Sequence, residues 1–154
     1  MSLPNPTRWP EQLSRANLRR HDLAEAMTDL EEVSSGPASV SYWLDRVEAS
    51  LGEVRLALDA HIEEVEAPQG LLAEIVSVDP RLAPYAEDLR KDHVDLLGAW
   101  VRAEATVRAA RLETATIAMV RRRVVTLLGR LTLHRQAGAD LVFEAHSVDI
   151  AAID

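Results

Sequence analysis

The chain contains no cysteine. Disulfides, Cys-ligated zinc, iron–sulfur clusters and thiol catalysis are all excluded. Aromatic residues are scarce, with one Phe and two Tyr, and there are only six glycines. Ala, Leu, Glu and Arg dominate instead, a composition that favours helix throughout. No apolar run approaches the roughly 18–20 residues of a membrane span. Met1 to Pro10 lacks the apolar core of a signal peptide, so a cytoplasmic location is the default expectation. The formal net charge of −8 argues against a general nucleic-acid binder. There is no glycine-rich phosphate loop, no GxSxG elbow and no ExxH pair of the ferritin di-iron kind.

What is present is helical periodicity. The 154 residues are enough for one domain with a sizeable core. Residues 1–8 hold two prolines, and 1–9 is expected to be an N-terminal arm to a helical domain over 10–150. Leu13, Ala16, Leu23, Met27 and Leu30 share a face of a first helix over about 10–34, which Ser34-Ser35-Gly36-Pro37 ends. Ser39 or Ser41 is placed to cap a second helix. Its stripe is Leu44, Val47, Leu51, Val54, Leu58, His61 and Val65, spaced by threes and fours. Pro68 and Gly70 end it, and 70–78 reads as a short helical turn. Asp79, Pro80 and Pro84 mark the start of a third long helix. Its stripe is Leu82, Tyr85, Leu89, His93, Leu96, Trp100, Ala103 and Val107. No Gly or Pro lies between Gly98 and Gly129, so the turn into the last helix is placed near 108–116. The last stripe is Ile117, Val120, Val124, Leu127, Leu131, His134, Leu141, Ala145 and Val148. The expected fold is all-α, an up-down four-helix bundle.

Three of these stripes carry a histidine where the spacing asks for an aliphatic residue: His61, His93 and His134. Any one of them could be a core histidine bonded to a carbonyl or carboxylate. Three unpaired imidazoles in one seam would be a heavy polar burden without a shared partner. Neutral imidazole is a common ligand for zinc, iron and copper, and bundle cores are a usual place for such sites. In an up-down bundle His93 and His134 share a level at about 1.5 Å per residue. His61 sits one or two turns higher unless the third helix starts later, near Pro84.

The carboxylates are less distinctive. Glu66, near the end of the second helix, and Glu144, near the late seam of the last helix, are the metal partners expected. Glu64 and Asp140 read as ordinary surface acids. His21 and Glu25 form HxxxE, but they lie opposite the first helix's apolar stripe and are expected on a solvated face. His146 is off the seam and peripheral. Arg121, Arg122, Arg123, Arg130 and Arg135 give the last helix a basic face, with phosphate binding the lesser reading. Trp9, Trp43 and Trp100 read as core or core-edge aromatics.

The stretches LDAHIEEVEAPQGLLAEIVSVDPRLAPYAEDLRKDHVDLL and LLGRLTLHRQAGADLVFEAHSVDIAAID resemble hemerythrin-like, HHE-type cation-binding proteins of the bacterial, actinobacterial type. The likeness covers about 55–150 and leaves out the first helix. It implies a four-helix bundle holding two irons or a single metal. It also implies activities among oxygen binding or sensing, iron handling and protection against peroxide or nitric oxide. The chain departs from the family motifs at three points. Leu97 stands where HxxxE from His93 would place an acid, HxxxH is missing, and Asp140 falls one residue late for HxxxxD from His134. These departures favour one metal over two.

The first expectation is therefore a metal-binding bundle with iron, mononuclear or dinuclear, or zinc. Its ligand set is drawn from His61, His93, His134, Glu66 and Glu144. No nucleic acid and no membrane are expected as partners, and a homodimer is left open. The alternative is a metal-free interaction or regulatory bundle that keeps the fold without the chemistry.

Overall fold

The computed structural model describes the backbone of residues 9–153 and the side chains of 11–39 and 42–147. Of the arm expected over 1–9, residues 1–8 lie outside the described residues and Trp9 already belongs to the first helix; the side chains of Trp9, Ser41 and Val148 also lie outside them. Every regular element among the described residues is helical: α1 (Trp9–Ser35), α2 (Val40–Glu66), the short α3 (Leu71–Val78), a 3-10 turn (Pro80–Leu82), α4 (Ala83–Arg111) and α5 (Ile117–Ile153). The four long helices form a bundle. α1 packs on α2 and α5, and α4 packs on α5 and α2.

The turns follow from local chemistry. Ser39 is the N-cap of α2 in an extended conformation, but its hydroxyl makes no capping bond. Pro68 lies just past the end of α2. Gly70 lets the chain double back, because a Cβ there would stand 2.5 Å from the Glu64 carbonyl oxygen. Asp79 fixes the next corner by accepting from the backbone N–H of Arg81 at 3.1 Å. The Arg81 side chain pairs with the same carboxylate, which lies below its usual range, chiefly through those Arg81 hydrogen bonds. Between α4 and α5 the turn narrows to 112–116, inside the expected interval. Glu113 takes a left-handed φ of 58°, and Thr116 Oγ1 caps α5 by accepting from the Met119 N–H.

The stripe on α2 is buried from Leu44 to Val65. On α4 the periodicity misplaces one residue. Tyr85 is exposed, and Ala86 takes the core position beside Leu82 and Leu89. The wide phenol ring finds no room where Ala86 is wholly enclosed. Trp43 is buried and Trp100 half-buried. Their indole N–H groups donate to the carbonyls of Val33 and Leu51, so each buries its ring with the polar edge satisfied. Leu51, Leu58, Leu96, Leu127 and Leu131 are among the fully buried side chains. Each contributes on the order of 1.5–3 kcal/mol by leaving water.

The apolar interior divides in two. One cluster includes Leu58, Leu96 and Leu131. The other includes Val65, Leu89 and Leu141, with α3 laid over it through Leu71, Leu72 and Ile75. Between them lies a polar layer. On α2 it falls between Leu58 and Val65, on α4 between Leu89 and Leu96, and on α5 between Leu131 and Leu141.

Candidate metal centre

That layer consists of His61, His93 and His134, all buried. They reach one level although His61 lies five residues before the end of α2 and His93 ten residues into α4, because α3 and the 3-10 turn separate those two helix ends. The later start at Ala83 removes only part of the offset expected from the sequence.

The rings converge through one kind of atom. His134 Nε2 lies 3.1 Å from His93 Nε2 and 3.3 Å from His61 Nε2. The ring centroids are 4.7–5.5 Å apart and the planes are steeply inclined, so the imidazoles meet at their edges rather than stack. Each histidine offers a ligand nitrogen within 4.8 Å of the other two, an arrangement that can hold a metal ion. For comparison, nitrogens about 2.05 Å from one ion at tetrahedral angles stand about 3.3 Å apart.

The outer nitrogens have different surroundings. His134 Nδ1 lies 2.6 Å from Asp92 Oδ2. An ionised carboxylate only accepts, so this contact places the proton on Nδ1 and leaves the Nε2 lone pair facing inward. His93 Nδ1 lies 3.2 Å from Glu66 Oε1. That is ion-pair range, but the angle is too bent for a regular hydrogen bond, and Nδ1 has no hydrogen-bond partner. His61 Nδ1 is also buried without a partner.

Burial governs the charge of the cluster. Desolvation pushes His61 down to about 3, helped by His93, His134, Arg20 and Arg135. His93 is lowered too, chiefly by burial, with the Glu66 contact opposing. Both rings are therefore neutral at ordinary pH, the form in which imidazole binds metals.

The structure brings His61, His93 and His134 together and sets Glu66 behind His93. It does not bring Glu144 to them. Once His61 and His134 stand level, Glu144 lies ten residues beyond along α5, roughly 15 Å. It is exposed on an outer groove with Tyr85, Asp88 and Asp140. His21 and Glu25 are exposed and 3.4 Å apart, and His146 is exposed. Two neighbours of the cluster escaped the sequence reading. Asp92 precedes His93 but serves His134 on another helix. Arg20 is the contribution of α1 to the polar layer, between Ala16 of one apolar cluster and Leu23 of the other. No helix of the described chain is long and apolar enough to cross a membrane.

No known protein family, curated protein or solved structure matches this chain.

Proposed function

We propose that the protein is a metal-binding helical bundle in which His61, His93 and His134 hold one divalent first-row ion through their Nε2 atoms. The observation that carries this reading is the orientation of the rings. Asp92 fixes the His134 proton on Nδ1, and Glu66 stands behind Nδ1 of His93. The His134 Nε2 lone pair thus meets the Nε2 atoms of His93 and His61 at 3.1 and 3.3 Å, a convergence that one shared cation would turn into bonds. Carboxylates behind metal-bound histidines are the usual way of fixing ring tautomer and basicity.

Zinc and iron both suit three imidazoles. Three protein ligands leave a coordination position for water or a small molecule. The hemerythrin-like resemblance, with its up-down helix order, belongs to this proposal. It favours iron and chemistry with oxygen, peroxide or nitric oxide. Glu66 and Asp92 support the rings from outside, so neither is assigned as a ligand, and a mononuclear site is favoured.

Elemental analysis of protein grown in iron- and zinc-supplemented medium, with its visible absorption spectrum, tests the proposal. About one ion per chain, falling away in His134→Leu, supports it. Metal-free parent protein rejects it in favour of an interaction or regulatory bundle.

A further inference from the structure

α4 and α5 leave an outer groove between them, and its charges are sorted by sign along its length. At one end it is lined by Tyr85, Asp88, Ala137, Asp140 and Glu144. Seven-residue steps, close to two helical turns, continue each side of the groove toward the other end. On α4 they lead from Asp88 to Asp95 and Arg102. On α5 they lead from Glu144 through Ala137 to Arg130 and Arg123, and from Asp140 to Leu133. These acids and arginines are all exposed. None of Asp88, Asp95, Glu144, Arg102, Arg123 and Arg130 forms an ion pair among the described residues. Asp140 accepts only from the Gln136 amide, at 2.8 Å. Other surface charges are paired, as Arg55 is with Asp59 and Arg111 with Asp45 and Glu48.

The middle of the face is apolar. From the His93–His134 contact to the groove that joins Tyr85 and Glu144, α4 numbers fall as α5 numbers rise. The two helices are therefore antiparallel, and Val94 stands level with Leu133. Both side chains are open to solvent, at 70% and 73% exposure, and Val101 follows two turns on at 51%. Acidic end, apolar centre and basic end succeed one another over about 20 residues, roughly 30 Å. Two helices each about 10 Å wide offer roughly 600 Å2 over that length, close to the roughly 800 Å2 per partner of a standard interface.

A face that runs acid, apolar, base fits a second copy of itself turned end for end. We propose that the α4–α5 face is the interface of a homodimer, with its two-fold axis at the level of Val94 and Leu133. The axis sets Asp88, Asp140 and Glu144 of each chain against Arg102, Arg123 and Arg130 of the other. It closes Val94 and Leu133 over their counterparts. A parallel pairing would lay acid on acid and base on base, which like-charge repulsion rejects. Lys91 is the base within the acidic half. The axis brings it opposite Gly98, about one turn from Asp95 of the second copy. The dimer does not depend on whether the histidines hold a metal.

Sedimentation of the full-length protein over a concentration series tests this. A mass of two chains is expected at low ionic strength. Raising the salt to about 0.5 M should weaken association about tenfold or more, because exposed pairs are then screened. Arg102→Glu with Arg130→Glu should weaken it about a hundredfold, and so should Asp88→Lys with Asp140→Lys, because each sets like charges face to face. Mixed in equal amounts, the two double variants should pair with one another, since each contact again joins opposite charges. A misfolded variant would not be rescued in this way. Arg46→Glu, exposed on α2, should change nothing. A monomer at every concentration, a mass that grows beyond two chains, a dimer indifferent to salt, an undiminished dimer in either double variant, or no pairing on mixing overturns the proposal. Such a failure leaves the metal reading intact, because metal content is measured separately.

Discussion

Asp92 and His134 come from different helices, α4 and α5, and meet at 2.6 Å through Oδ2 and Nδ1. The contact orients an imidazole that the core would otherwise hold only by packing. Asp92→Asn keeps the shape but removes the charge that makes the ring a better donor of its lone pair. Zinc affinity, measured by competition with a chelator, should fall about 10–100-fold. Unchanged affinity would make Asp92 an ordinary surface acid.

His134→Leu should act in opposite directions on the two forms of the protein. Nε2 of His134 is the atom that both other rings approach, so its loss should abolish stoichiometric metal binding and the stabilisation that comes with it. In the metal-free protein the same change replaces a buried polar ring with an aliphatic side chain that suits the stripe. Stability there should stay level or rise. Melting curves of parent and variant, with and without zinc, check both arms. A variant that still binds one ion per chain would remove His134 from the site.

The metal-free protein should lose stability in mild acid. Burial holds His61 at about 3, against about 6.5 in an unfolded chain. Below pH 6.5 the unfolded state takes up this proton and the folded state does not. Stability is full above that value and falls as pH drops toward 3, by about 1.4 kcal/mol per pH unit for each histidine so held. His93 is lowered in the same direction and adds to the slope. Denaturant unfolding at pH 7 and pH 5, where most carboxylates stay ionised, should show the decline. His61→Leu should flatten it, and a parent protein equally stable at both values would contradict the burial argument.

Gly70→Ala should destabilise by about 1–3 kcal/mol, through overpacking rather than backbone strain. Its φ is an ordinary −82°. The added methyl would press on carbonyl oxygens of Glu64, Val65 and Ala67, where α2 turns into α3. Thermal unfolding gives the answer, and a neutral result would mean that this corner relaxes freely.

The helices and the three histidines were legible because both depend on the 3.6-residue period within a single segment. His61, His93 and His134 each interrupt an aliphatic stripe, and that is visible without knowing the neighbours. The level of His61 was not fixed in the same way. It depended on where α4 starts and on how far α3 and the 3-10 turn separate that start from the end of α2. Glu144 was placed by the same uncertain ladder and fell about three turns too far along. Asp92 and Arg20 sit at the flanks of their stripes, where a residue faces a neighbouring helix rather than the centre. Their partners are set by how the helices are rotated against one another, which no single-helix pattern contains. One signal was available for Asp92: a carboxylate adjoining a seam histidine is placed to reach the next helix.

Titration of the metal-free protein with zinc, followed at the imidazole resonances, tests the central claim most directly. The account requires saturation at about one ion per chain, with the Nε2 signals of His61, His93 and His134 shifting together. The Nδ1 proton of His134 should stay in place against Asp92. His21 and His146, exposed on the surface, should not follow the same curve. Binding carried by His21 or His146, or no saturable shift in the three buried rings, would contradict it.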